Sequence, residues 1–360
     1  MHVLHKSHSH SISTTSIAKT NPIFNPNKCP EISPISVCVD NPRFLRHPLS
    51  IKVPEGSTQK LRTHSAKILG LKNSAMSTEN VEISKDMIEE FVEVGNKIAD
   101  AAGQPIRQYF RKHVDIVDKD DLSPVTIADR AAEEAMRSVI SEHFPTHAMM
   151  ILKESAHRYG EENGWTCNGE NAEYIWVLDP IDGTKSFITG KPLFGTLIAL
   201  VHKGIPILGI IDQPVLRERW IGKIGEKSTF NGQEISTRSC NSLAMAYMYT
   251  TSPHLFNGKA EEAFVRVRNK VKIPLYGCDC YAYALLASGH VDLVIESGLK
   301  LYDFLALVPV VEGAGGVITD WEGNKLTWKL SSDGHFPGFN VIAAGDARVH
   351  QEALSLLEWN

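Results

Sequence analysis

The apolar positions of the chain fall first into a helical rhythm. Met87, Ile88, Phe91, Val92, Ile98, Ala102, Ile106 and Phe110 recur at near-helical spacing over 84–112, with Ser84 as N-cap and Asp86 in the first turn. Gly103 and Pro105 predict a kink towards its end. A short strand at 114–117 follows, then the charged turn Lys119-Asp120-Asp121, then a helix opened by Thr126 with Asp129 three residues on. The pattern then changes to continuous apolar runs at 174–178, 194–201 and 205–212, which read as buried strands, and Lys203-Gly204 joins the last two as a hairpin. Helices are predicted at 261–271, 281–288 and 304–313, strands at 291–296 and 316–319, and a strand followed by a terminal helix from Val341 onward. Strands and helices alternate without an internal repeat, which predicts a layered α/β or α+β architecture.

One apolar run ends in chemistry. Tyr174-Ile175-Trp176-Val177-Leu178 leads directly into Asp179-Pro180-Ile181-Asp182-Gly183-Thr184. Pro180 is expected to stop the ladder and leave both carboxylates at a strand end, where α/β proteins place their sites. Two acids so close are costly without a cation, and Gly-Thr offers backbone N–H groups to an anion. A purely structural reading stands beside this one, since Asp-Pro and Asp-Gly are turn dipeptides and an aspartate there can simply cap a helix. Gly160-Glu161-Glu162 and Tyr302-Asp303 supply further carboxylates, and hard divalent cations favour such all-oxygen sets.

Charge separates the beginning of the chain from the rest. Residues 1–76 carry ten Lys/Arg against three acids and seven prolines, are rich in Ser and His, and have no acid before Glu31. This composition predicts a transit peptide, and the absence of arginine before Arg43 favours a plastid over a mitochondrion. Residues 77–360 are then one domain with 27 basic and 39 acidic residues, a balance unsuited to nucleic-acid binding. No run of 18 apolar residues occurs, so no membrane span is expected. Cys29, Cys38, Cys167, Cys240, Cys278 and Cys280 include no CxxC pair, which argues against a zinc cage or a disulfide scaffold. The basic cluster Arg217, Arg219, Lys223 and Lys227 reads as a solvated hairpin face.

GEE at 160–162, WVLDPIDGTKSF at 176–187, and YD followed by EGAGG over 302–316 resemble the inositol monophosphatase-like, magnesium-dependent phosphatases over about residues 84–358. The resemblance implies their αβαβα sandwich, two or three Mg2+ ions and a homodimer. It implies metal ligation by Glu161, Asp179, the Ile181 carbonyl, Asp182 and Asp303. It implies a phosphate cradle at Gly183 and Thr184, and activation of the attacking water by Thr184 with Asp129 alongside the metal. Asp129 also has a plainer reading as a capping-box carboxylate. The chain departs from the family pattern at Ala148–Tyr159, which is longer than usual and reads as a surface loop or a mis-spliced stretch.

Substrate choice points to Asp279 and Glu296. Glu296 matches a family position that touches the polar part of the substrate, against the alternative of a surface charge at a strand end. Inositol phosphatases have a small neutral residue where this chain has Asp279, and an added acid favours a cationic alcohol. The segment GCDCYAYALLASGHVDLVIE is similar to the plastid-targeted histidinol-phosphate phosphatases of plants. The resemblance therefore implies hydrolysis of L-histidinol phosphate, a small-molecule ester, in histidine synthesis in the chloroplast stroma. The alternatives are a broader inositol or sugar phosphate phosphatase, and a catalytically silent scaffold.

Overall fold

The computed structural model describes residues 83–112, 116–117, 125–151, 165–166, 173–328 and 338–358. The leader 1–76, the Lys119–Asp121 turn, Glu161 and its neighbours, and residues 152–159 lie outside the described residues.

In chain order the elements begin with α1 (Lys85–Tyr109), β1 (Ile116–Val117), β2 (Val125–Thr126), α2 (Ile127–His143), β3 (Ala148–Ile151), β4 (Trp165–Thr166), β5 (Tyr174–Asp182) and α3 (Thr184–Ile188). A meander follows of β6 (Gly195–His202), β7 (Ile205–Gln213), β8 (Glu218–Lys223), β9 (Thr229–Phe230) and β10 (Gln233–Glu234). The remainder comprises β11 (Tyr247–Thr250), α4 (Lys259–Arg268), β12 (Ile273–Tyr276), α5 (Asp279–Ala287), β13 (Leu293–Leu299), α6 (Leu301–Phe304), α7 (Leu307–Gly313), β14 (Val317–Asp320), β15 (Phe339–Ala344) and α8 (Ala347–Leu357).

Beside the small β1-β2 ladder there are two large sheets. One has the order β10-β9-β8-β7-β6-β5-β3-β4 and the other β12-β11-β13-β15-β14. Alternation along the strands divides the core among the layers. Trp176, Leu178, Ile198 and Leu200 pack against Ile98, Ala102, Met136 and Ile140 of α1 and α2. Val177, Leu197 and Ala199 face the opposite way, onto Tyr283, Leu286, Leu307 and Val310 of the central helices and Val294, Val341 and Ala343 of the five-stranded sheet. On that sheet's far side Met248, Leu293, Ile295 and Ile342 meet Phe264 of α4 and Val349 of α8. The result is the expected αβαβα sandwich. α7 lies so close to β7 and β8 that a Cβ at Gly209 or Gly222 would overlap the backbone of Ala306 or Pro309.

Several expectations need correction. Pro180 does not end β5, which continues to Asp182 through an irregularity. Residues 148–151 are not loop but a buried strand paired in parallel with β5. The single helix expected at 304–313 is two, α6 and α7. Arg219 and Lys223 are not a solvated face: Arg219 bonds to Asp212 and Asp100 at 2.7 Å, and Lys223 bonds to Glu89 at 2.7 Å, tying the meander to α1.

Candidate active site

In a regular strand, residues three apart point to opposite faces. Asp179 and Asp182 nevertheless converge, and the pairing with β6 explains why. Asp179 stands opposite Leu197 and Asp182 opposite Gly195, so Pro180 and Ile181 together oppose the single residue Thr196. This extra residue is a β-bulge, which rephases the strand and aims both carboxyls to one side. Pro180 suits the position because it has no N–H to leave unpaired, and its carbonyl accepts the buried Thr196 hydroxyl at 2.8 Å.

Asp303 arrives from the first turn of α6. One carboxyl oxygen from each of Asp179, Asp182 and Asp303 lies within 4.8 Å of the others. The main chain orients each group: Ile181 N–H donates to Asp179 (3.1 Å), Cys280 N–H to Asp182 (2.6 Å) and Lys300 N–H to Asp303 (2.7 Å). Burial raises all three proton affinities, to about 7 for Asp182 and Asp303, and neighbouring charge adds to it: Asp182 and Asp303 on Asp179, Asp303 on Asp182, and Asp279 on Asp303. The charge of Asp129, buried in the first turn of α2, adds to the repulsion on Asp179.

The donor set fits a hard divalent cation. Every group is a carboxyl that keeps acceptor capacity beyond its one main-chain bond, and a cation relieves the repulsion that otherwise favours protonation. Burial and the adjacent Asp182 charge raise the proton affinity of the nearby Cys280 thiol, and a hard cation prefers the carboxyl oxygens to sulfur.

Gly183 carries the chain from β5 into α3 with φ 86°, a left-handed conformation favoured by glycine. Its carbonyl accepts from the Ser186 and Phe187 amides, which closes the first turn. Thr184 donates its hydroxyl to the Ile181 carbonyl at 3.0 Å, so residues 181 to 184 form one corner that includes Asp182.

The two acids expected to meet the substrate lie elsewhere in the chain, Asp279 at the start of α5 and Glu296 on β13. Asp279 follows two further left-handed residues, with φ 95° at Gly277, 82° at Cys278 and 41° at Asp279 itself. Non-glycine residues hold this conformation at about 1–2 kcal/mol each, a cost typical of functional turns. Gly277 N–H anchors the run by donating to the Thr250 and Thr251 carbonyls at 3.0 Å. The Asp279 carboxyl then abuts Gly183: a Cβ there would lie 2.9 Å from Asp279 Oδ2, and Ser186 Oγ lies 3.5 Å from the same oxygen.

Glu296 is not a surface charge. It is 2% exposed, accepts from Thr251 N–H at 2.6 Å and Thr250 Oγ1 at 3.4 Å, and burial pushes its carboxyl up to about 8. The Thr251 hydroxyl faces both Asp279 and Glu296 and holds both proton affinities down.

Sequence reasoning missed Thr251, the Cys280 amide and Tyr283. The Tyr283 hydroxyl is fully buried in the field of Glu296, Asp182 and Asp303, with no hydrogen-bond partner among the described residues. The paired hydroxyls Thr250-Thr251 at the end of an apolar strand were the available signal. Glu161 lies outside the described residues, so its distance from the cluster is not part of this geometry.

Bulged acidic strand, glycine corner and helix-borne third aspartate agree with sequence comparison. The profile of the inositol monophosphatase family matches residues 87–355. The chain belongs to the inositol monophosphatase family. It is a phosphatase of that family by the same match. A bifunctional phosphatase of Arabidopsis thaliana, IMPL2, described as chloroplastic, is 65% identical over 279 residues, 78% of each chain. A histidinol-phosphatase of Chlorobaculum parvum is 32% identical, over 69% of this chain and 93% of that protein. Among solved structures, an inositol monophosphatase from Zymomonas mobilis is 46% identical with a TM-score of 0.65, covering 75% of this chain and 98% of that one.

Proposed function

We propose that this family member hydrolyses L-histidinol phosphate to L-histidinol and phosphate. The observation that carries the reading is the Asp279 carboxyl beside Gly183, an acid that a neutral polyol does not require and an aminoalcohol does. The named histidinol-phosphatase relative supports it.

In this reading Asp179, Asp182 and Asp303, with the Ile181 carbonyl and Glu161, hold Mg2+ ions, two or three in number. Bound magnesium supplies Lewis acidity and neutralises charge on the phosphoryl oxygens. The chain's own residues do the rest. Amides at Gly183 and Thr184 seat the phosphate, and the bulge holds Asp182 against that seat. Thr184 and Asp129 orient the attacking water and accept its proton. Asp279 engages the substrate's ammonium, and Glu296 backs it through Thr251.

The leader 1–76 and the chloroplastic Arabidopsis relative support import into the plastid stroma. The apolar edge at β12, with Ile273 and Tyr276 exposed and the exposed Met245 next to Ala246, whose carbonyl accepts from Ile273 N–H, supports a homodimer. Light scattering of Ile273→Lys should give a smaller species than wild type, and an unchanged mass overturns the interface.

The 46% identity to the Zymomonas inositol monophosphatase favours a second reading, a broader polyol phosphate phosphatase. A substrate panel with magnesium present and then chelated separates the two. The first reading requires kcat/KM for histidinol phosphate to exceed that for inositol phosphate, with activity abolished by chelation, and requires Asp279→Ala to reverse the ratio. A panel that favours inositol phosphate in the wild type supports the second.

A further inference from the structure

Of the two acids assigned to substrate choice, only one stands open to a ligand. Glu296 is enclosed, with its carboxyl oxygens engaged by Thr251 and Thr250. Asp279 remains partly exposed, and its fixed contacts are with the corner that seats the phosphate: Gly183 beneath it, Ser186 Oγ at 3.5 Å, and Lys185 within electrostatic range. The left-handed run from Gly277 to Asp279 fixes where the main chain presents the carboxyl, next to Gly183 and Ser186.

That placement sets where a cation must be on the ester. An ammonium on the carbon next to the phosphorylated one stays beside the phosphate in every rotamer, within reach of a carboxyl that borders the seat. An imidazole, farther along the chain, is carried past it. We propose, building on the histidinol phosphate reading, that Asp279 recognises the 2-ammonium group itself, and that phosphate monoesters of 2-aminoalcohols are substrates as a class. In each case the water oxygen forms a new bond to phosphorus while the ester P–O bond breaks with its electron pair on the departing oxygen. That oxygen takes up a proton, so one water and one ester give one aminoalcohol and one inorganic phosphate.

Thr251 is the positioning residue for this contact. Its amide fixes Glu296, its hydroxyl faces both acids, and its carbonyl anchors Gly277, so it links all three parts of the arrangement.

The test measures kcat/KM of the full chain, with magnesium, on 2-aminoethyl phosphate, n-propyl phosphate and 3-aminopropyl phosphate. The first two are nearly isosteric and differ in charge. The 2-amino ester should be favoured over n-propyl by about tenfold or more, and over the 3-amino ester, with Asp279→Asn bringing the first ratio close to one. Calorimetry with 3-aminopropylphosphonate against butylphosphonate should show the same order in binding alone. A wild-type ratio near one, a ratio that survives in Asp279→Asn, or equal use of both amino esters overturns the inference.

The two levels fail separately. Turnover of histidinol phosphate without any preference for 2-aminoethyl phosphate ends this inference and leaves the parent reading standing. Preference for 2-aminoethyl phosphate without turnover of histidinol phosphate does the reverse.

Discussion

Asp179 and Asp182 reach the site from a strand bonded to neighbours on both edges, whereas Asp279 reaches it from three consecutive residues in left-handed conformation. The first arrangement is set by a ladder and one bulge, with side chains above and below buried in two separate cores. The second is set by a turn, held through Gly277 N–H and the Thr250 and Thr251 carbonyls. A ladder fixes the first pair through its register, whereas the turn that carries Asp279 can differ without disturbing the sheets.

Substitutions should separate the two. Asp182→Asn strikes the shared chemistry and should lower kcat on every ester by about 1,000-fold, several kcal/mol of lost charge stabilisation, and weaken magnesium binding by calorimetry. Equal losses confined to one substrate would place Asp182 in recognition instead. Gly209→Ala tests the rigidity of the scaffold. Overlap with the Ala306 carbonyl should cost about 1–3 kcal/mol by denaturant melt, with substrate ratios unchanged.

Thr251→Val acts on the recognition side. It should raise KM for histidinol phosphate by about tenfold with little change in kcat, while Thr251→Ser restores it, because the hydroxyl and not the methyl group faces the acids. Failure of serine to rescue would reduce Thr251 to packing.

The smallest effect is a pH dependence of stability. Asp182 and Asp303 have proton affinities raised to about 7, so between their ordinary unfolded range and that value the native state without cations binds more protons than the unfolded state. Their contribution is fully present at acid pH and is lost as pH rises through about 7. The Tm of metal-stripped protein should therefore decline from about pH 5 to about pH 8, and magnesium should flatten the slope. A Tm that rises over this range would contradict the repulsion among the aspartates.

The closeness of Asp179 and Asp182 was legible from residue order, because the two fall within one short run that ends an apolar strand. The bulge was not, since proline after an apolar run also predicts a strand's end; only the register with β6 distinguishes the two. The four-residue run Ala148–Ile151 was too short to read as a strand, and β11 and β12 carry no period strong enough to mark them. On the recognition side Asp279 and Glu296 could be named, but the buried state of Glu296 depends on Thr250 and Thr251, some 45 residues earlier. The hydroxyl pair is visible in the sequence, but nothing local says which distant acid it meets.

The left-handed run has a consequence for how such an enzyme can change. Of the twenty residue types, glycine, asparagine and aspartate sit most easily at φ 41°, so position 279 samples a short alphabet whose members differ chiefly in charge. A single codon change can therefore exchange an acid for a neutral residue there while leaving the hairpins, helices and the Asp179, Asp182 and Asp303 cluster as they are. New substrate preference would then be open to drift or to a bench chemist at small structural risk.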